Sequence, residues 1–113
     1  MCGIAGQIDL SKSLKQNLLI NKSLSHRGPH NKKAIRLKKN LIFYHTRLKI
    51  IDFSDDSNQP MSSQNLRYTI IYNGELYNFK EIKNELEKKG YFFNSNGDTE
   101  VFLKGFIEYG INF

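Results

Sequence analysis

MCGIAG, residues 1–6, holds the chain's one cysteine at position 2, where loss of the initiator methionine would make it N-terminal. A thiol attacks a carbonyl as thiolate, and its ordinary pKa of about 8.5 calls for a base or a cation beside it. A free α-amine, with an ordinary pKa of about 7.7–8.0, is such a base, carried by the same residue. The bland alternative is a small core hydrophobe, the usual part of a lone cysteine. Position 2, a residue small enough to permit removal of Met1, and the small neighbours Gly3, Ala5 and Gly6 favour the reactive reading. GIAGQID, residues 3–9, alternates weakly and reads as a short buried strand starting at the N-terminus.

The rest of the composition bounds the answer. A chain of 113 residues suits one small domain with one core. A hydrophobic content of 39%, 25% charged residues and a mean hydropathy of −0.53 describe a soluble globular chain. No apolar run approaches the roughly 20 residues of a membrane span. The start also lacks the basic and apolar regions of a secretory signal, which places the chain in the cytoplasm. A single cysteine forbids an internal disulfide and agrees with a reducing compartment. The net charge of +6 is uneven: no acidic residue stands between Leu10 and Ile51. Such a half attracts polyanions. The aromatic interleaving and motifs of nucleic-acid binders are missing, however, so neither nucleic acid nor membrane is expected as partner.

Periodicity places the elements. SKSLKQNLLINKSL (11–24) sets Leu14, Leu18 and Leu24 near one helical face, with Ser11 or Ser13 as cap, and the helix ends before the turn in SHRGPH (25–30). KAIRL (33–37) and LIFYHTRLKIID (41–52) read as strands joined at KKN, with Ile42, Tyr44 and Thr46 on one face and Phe43 and His45 on the other. A polar connection (54–65) leads to a strand LRYTIIY (66–72). NFKEIKNELEKKG (78–90) is a helix capped by Asn78 with Glu81 three residues on, apolar at Phe79, Ile82 and Leu86 and closed by Gly90. YFF (91–93) suggests a short strand, and DTEVFLKGFIEYG (98–110) a helix capped by Asp98 and closed by Gly110. Four or five strands and three helices, not strictly alternating, predict a layered α+β fold.

Three further places carry chemistry. Asn73-Gly74 ordinarily marks a hairpin turn, yet a helix follows; the Asn73 amide and the Gly74 N–H can instead point at one oxygen, as an oxyanion hole requires. Arg47 stands in an otherwise apolar strand, either snorkelling to water or clamping a carboxylate with two N–H groups. Asp98 serves as a cap and can also hold an ammonium. His26, His30 and His45 lack metal-ligand spacing, no metal is expected, and there is no phosphate loop.

In this order MCGIAG, HRGP, HTRLKIID, NQP, NGELYN and GDTE, spread along nearly the whole chain, resemble the N-terminal glutaminase domain of the glutamine-hydrolysing asparagine synthetases, a class II glutamine amidotransferase. The resemblance implies an N-terminal nucleophile hydrolase fold, a four-layer αββα sandwich, with residues 1–113 as a single partial domain. It implies Cys2 as nucleophile on the glutamine side-chain amide, Asn73 and Gly74 around the oxyanion, and Arg47 on the substrate carboxylate. Asp98 and Glu75, with backbone near Ile50 and Ile51, would fix the amino-acid end. The substrate is then glutamine, and the partner is a synthetase domain outside these residues, to which ATP and magnesium would belong. A homodimer is left open. His30, where the family usually has Asp, and Gly97, where it usually has Ser, are departures that bear on substrate fit. The family domain continues past the GDTE helix whereas these residues stop at YGINF, so a sandwich incomplete at that end is expected. A truncated, non-catalytic remnant is the rival reading.

Overall fold

A computed structural model of the chain describes residues 1–8 and 14–113. Its first sheet is antiparallel, with β1 (Gly3–Ile8) and β2 (Asn31–Lys38) flanking the central β3 (Leu41–Arg47) in the order β1-β3-β2. Gly3 lies opposite Thr46 and Asn31 opposite Arg47, so both outer strands end level with the last turn of β3. Being paired on both edges, β3 is the most buried element: Tyr44, His45, Thr46 and Arg47 are all inside.

Alternation along β3 divides two layers. On the Thr46 side, α1 (Leu14–Leu24) covers the sheet, and the Thr46 hydroxyl donates to the Leu24 carbonyl at 3.0 Å. Gly3 makes that packing possible, since a Cβ there would stand 2.6 Å from Thr46 Oγ1. The proposed cap at Ser11 or Ser13 lies outside the described residues. On the His45 and Arg47 side lies the rest of the molecule: a two-stranded pair of β4 (Met61–Ser62) and β5 (Thr69–Ile70), and the packed helices α2 (Phe79–Lys88) and α3 (Asp98–Tyr109). Leu86, Val101 and Leu103 form the buried centre of the helical pair. The architecture is mixed α and β, with every strand pair among the described residues antiparallel.

Several sequence expectations need correction. The strand through Arg47 does not run on to Ile50 and Ile51. Beyond Arg47 the backbone donors are taken by side chains, Leu48 N–H by Cys2 Sγ at 3.4 Å and Lys49 N–H by His30 Nδ1 at 3.0 Å, which ends the ladder. The strand expected over 66–72 is only Thr69–Ile70, because the Tyr72 N–H is captured by the Gln59 side chain at 2.6 Å instead of a neighbouring strand. YFF forms no strand: Phe92 is exposed, and the Phe93 ring lies beneath the Lys104 and Lys83 ammonium groups at 4.5 and 5.0 Å.

Helix ends follow suit. Asn78 occupies the cap position of α2 but makes no side-chain capping bond; its backbone oxygen accepts from Glu81 and Ile82. Asp98 is the first residue of α3, and Gly97 is the cap. At the other end of α2, Gly90 adopts φ +92°, and the bonds Gly90 N–H to Glu87 O and Tyr91 N–H to Leu86 O close the helix as expected.

Candidate active site

A cavity of about 190 Å³ opens where the C-terminal end of β3 meets the chain after β5 and the first turn of α3. It is smaller than the roughly 300–1,000 Å³ of pockets for drug-sized ligands, a size suited to an amino acid. All eight residues singled out from the sequence line it: Cys2 and Arg47 from the sheet, Ile50 and Ile51 from the loop after β3, Asn73, Gly74 and Glu75 after β5, and Asp98 from α3.

Cys2 is half-buried one step beyond the Gly3–Thr46 pair, which puts it beside the end of β3. Its sulfur contacts the Leu48 backbone, and its carbonyl accepts from Arg27 Nε at 3.0 Å. Arg27 belongs to the turn whose Gly28 is pressed on β3; a Cβ at 28 would lie 2.2 Å from Thr46 C and 2.5 Å from Arg47 N. The RGP turn therefore holds the residue carrying the thiol. Met1 is 72% exposed at the cavity mouth, and while it is attached the nitrogen of Cys2 is an amide without basicity.

Arg47 is 5% exposed and makes no ion pair among the described residues. The loop after β3 wraps its guanidinium: Nη1 donates to Ser54 O at 2.6 Å and Asn58 Oδ1 at 2.9 Å, and Nη2 donates to Asp52 O. No carboxylate of that loop bonds the guanidinium directly, and the Asp52 carboxylate is spent elsewhere. Asp52 Oδ1 accepts from Ser54 N–H at 2.8 Å, and Oδ2 from the Ser57 hydroxyl at 2.7 Å and Asn96 N–H at 2.8 Å. Burial opposes its ionisation, yet these bonds outweigh it and hold its pKa well below the carboxylate range.

Across the cavity, Asp98 accepts from Leu76 N–H at 3.0 Å and makes no second bond with the described residues. It lines the same cavity as Arg47, with exposed Glu75 nearby. Tyr72 stacks on Phe102 at 5.2 Å, fixing the chain just ahead of Asn73. Burial, with the negative charges of Asp98 and Glu75, raises the Tyr72 pKa. Gln59, buried, joins the segment ahead of Asn73 to α3: its amide donates to Thr99 Oγ1 at 3.0 Å while its oxygen takes the Tyr72 N–H.

Sequence reasoning missed Arg27, Asp52, Ser57, Gln59 and Tyr72 as parts of this site. Gln59 and Arg27 stand in the quoted motifs NQP and HRGP, which was the available signal; nothing local marks Ser57. His30 lies outside the cavity lining, and its Nδ1 accepts the Lys49 N–H, a task that an acceptor carboxylate performs equally. Among the described residues no three histidine, cysteine, aspartate or glutamate side chains gather as a metal would require. No described helix is long and apolar enough to cross a membrane.

Residues 1–113 match the family described as Glutamine amidotransferase domain. Asparagine synthetase [glutamine-hydrolyzing] 3 of Bacillus subtilis is 38% identical over 115 residues, covering 96% of this chain and 18% of the relative. Asparagine synthetase [glutamine-hydrolyzing] 1 of the same organism is 39% identical with the same coverage, and asparagine synthetase B of Escherichia coli is 32% identical over 117 residues, covering 100% of this chain and 21% of the relative. The chain thus spans about a fifth of the length of these relatives. With the match running from the first residue to the last, the chain belongs to the glutamine amidotransferase domain family.

Proposed function

We propose that this chain hydrolyses glutamine to glutamate and ammonia through a thioester on Cys2. Removal of Met1 frees the α-amine of Cys2, which takes the thiol proton as sulfur attacks the side-chain carbonyl carbon and passes it to the departing ammonia. The Asn73 amide and the Gly74 N–H receive the oxyanion. Arg47 binds the substrate α-carboxylate with the N–H groups that the loop leaves free, and Asp98, with Glu75, receives the α-ammonium. The backbone near Ile50 and Ile51 borders the same end. Water then attacks the thioester, restoring the thiol and releasing glutamate. The finer fold is the four-layer αββα sandwich of N-terminal nucleophile hydrolases.

By analogy with the asparagine synthetases, the ammonia is consumed in ATP-dependent conversion of aspartate to asparagine. That step, its ATP and its magnesium belong to a synthetase domain in the same polypeptide or a partner, and the whole reaction is placed in the cytoplasm. The observation that carries the reading is the placement of an exposable N-terminal thiol, a guanidinium and two carboxylates around one cavity of amino-acid size. In the natural gene product, Cys2→Ala should reduce ammonia release from glutamine to background, and Asn73→Ala should lower it on the order of 10²–10³-fold. A Cys2→Ala variant as active as the parent would overturn the proposal.

A further inference from the structure

Arg47 and Asp98, two charged residues that line one cavity, come from different layers, and one carboxylate, that of Asp52, ties their supports together. The loop 52–58 wraps the Arg47 guanidinium through the Asp52 and Ser54 carbonyls and the Asn58 amide oxygen. The same loop reaches the turn ahead of Asp98 through Asp52 Oδ2, which takes both the Asn96 N–H and the Ser57 hydroxyl. Ser57 is 6% exposed, and its oxygen occupies the space beside Gly97: a Cβ at 97 would stand 2.8 Å from Ser57 Oγ and 3.8 Å from the Asp52 Cβ. A side chain at 97 would therefore have to displace the Ser57 hydroxyl, while a hydroxyl carried on that side chain would itself lie within reach of the Asp52 carboxylate. The site has room for one such hydroxyl.

We propose that Ser57 and Gly97 form a complementary pair in which Ser57, through Asp52, is the positioning residue that sets the spacing between Arg47 and Asp98 and so the fit of an α-amino acid's two charged ends. This rests on the glutamine-hydrolysis reading for the identity of the substrate, while the pairing itself rests on the geometry. It accounts for a glycine at the position where the family resemblance leads one to expect serine: the hydroxyl comes from the facing loop instead. Neither residue touches the reacting amide in this arrangement, so the effect falls on binding rather than on the chemical step.

The test is a four-variant cycle in the natural gene product: parent, Ser57→Gly, Gly97→Ser and the double exchange, each assayed for glutamine turnover and for thermal unfolding. Loss of one hydrogen bond to a buried carboxylate should raise the KM for glutamine about tenfold in Ser57→Gly with kcat within about twofold. Gly97→Ser should raise KM similarly and lower Tm by crowding. The double exchange should bring both KM and Tm back to near the parent's. Singles whose effects add in the double variant, or a Ser57→Gly change that falls on kcat with KM unmoved, overturn the pairing or the positioning role respectively. A parent without glutamine turnover overturns the functional reading instead, and the pairing is then decided by Tm alone: recovery in the double variant supports it, additivity sinks it.

Discussion

On one side of the cavity Cys2 and Arg47 stand at the ends of adjacent strands, fixed by a ladder that runs from Ile8–Leu41 to Gly3–Thr46. On the other, Asn73 and Asp98 follow segments held by side chains that reach across to distant backbone, Gln59 to Tyr72 and Asp52 to Asn96. The sheet wall rests on many similar bonds and on close packing, so no single polar group decides it. The loop wall rests on a few buried side chains, Asp52 accepting from three donors and Gln59 joining two segments. The two walls should therefore fail differently: the first when its packing or a buried ring is disturbed, the second when one acceptor is lost.

The largest effect is expected from Gly28→Ala in the sheet wall. The added Cβ would meet the backbone of Thr46 and Arg47, which is locked between two partner strands and cannot yield like a side-chain tip. Overpacking of this kind should cost about 3 kcal/mol or more, read as a lowered urea midpoint. A loss below about 1 kcal/mol would mean that the turn is not seated on β3 as described.

His45 supplies the next. Its ring is fully buried on the Arg47 side of β3, beside the Tyr72 backbone. Burial, reinforced by the Arg47 charge and offset in part by the Tyr72 backbone, lowers its pKa to about 4. The unfolded chain, with an ordinary histidine value of about 6.5, binds the proton more readily than the folded one. The stability of the neutral ring is thus complete above about pH 6.5 and falls as pH drops toward 4, by about 3 kcal/mol in all. His45→Gln should flatten the stability profile across that window; an unchanged slope would show that another group titrates there.

This difference between the walls is also why the sequence disclosed one more readily than the other. Alternation in GIAGQI and LIFYHTR marks strands locally, and Gly90 marks the end of α2 because its φ of +92° suits glycine. The chemical types of Cys2, Arg47, Asn73 and Asp98 made them candidates wherever they lay. Asp52 binds Asn96 across 44 residues and Gln59 binds Thr99 across 40, and no local pattern announces an acceptor for a donor that far away. The same cause shortened the strand expected over 66–72, since propensity in LRYTIIY says nothing of the Gln59 oxygen that takes the Tyr72 N–H. Propensity likewise failed at YFF, where lysine ammonium groups rather than a neighbouring strand engage Phe93.

In the loop wall, Asp52→Asn should cost about 2 kcal/mol at neutral pH, because an amide cannot accept at both positions from Ser54, Ser57 and Asn96. Its folded pKa lies below the unfolded value of about 3.9, so the stability it contributes is present above that pH and is lost as pH falls further. The loop wall should therefore hold through the window in which His45 weakens the sheet wall, and give way only in stronger acid. Chemical denaturation at pH 7, 5 and 3 resolves the two: Asp52→Asn should keep the parent's loss between 7 and 5 and lack part of its loss between 5 and 3. Equal losses in both intervals for parent and variant would erase the distinction.

The smallest effect belongs to Asp55, three residues along the same loop. Its carboxylate meets Lys49 Nζ at 3.2 Å and Asn58 Nδ2 at 3.0 Å, both through Oδ1. Its side chain is 84% exposed, however, and water and salt compete for each of those bonds. The Lys49 and Asn58 hydrogen bonds lower its pKa, but a shift at an exposed carboxylate carries little folding energy. Asp55→Asn should leave the urea midpoint and the KM for glutamine indistinguishable from the parent's. If it instead matched Asp52→Asn, the loop would be held by its surface charges rather than by one buried acceptor, and the spacing of Arg47 and Asp98 would have to be explained from Lys49 outward.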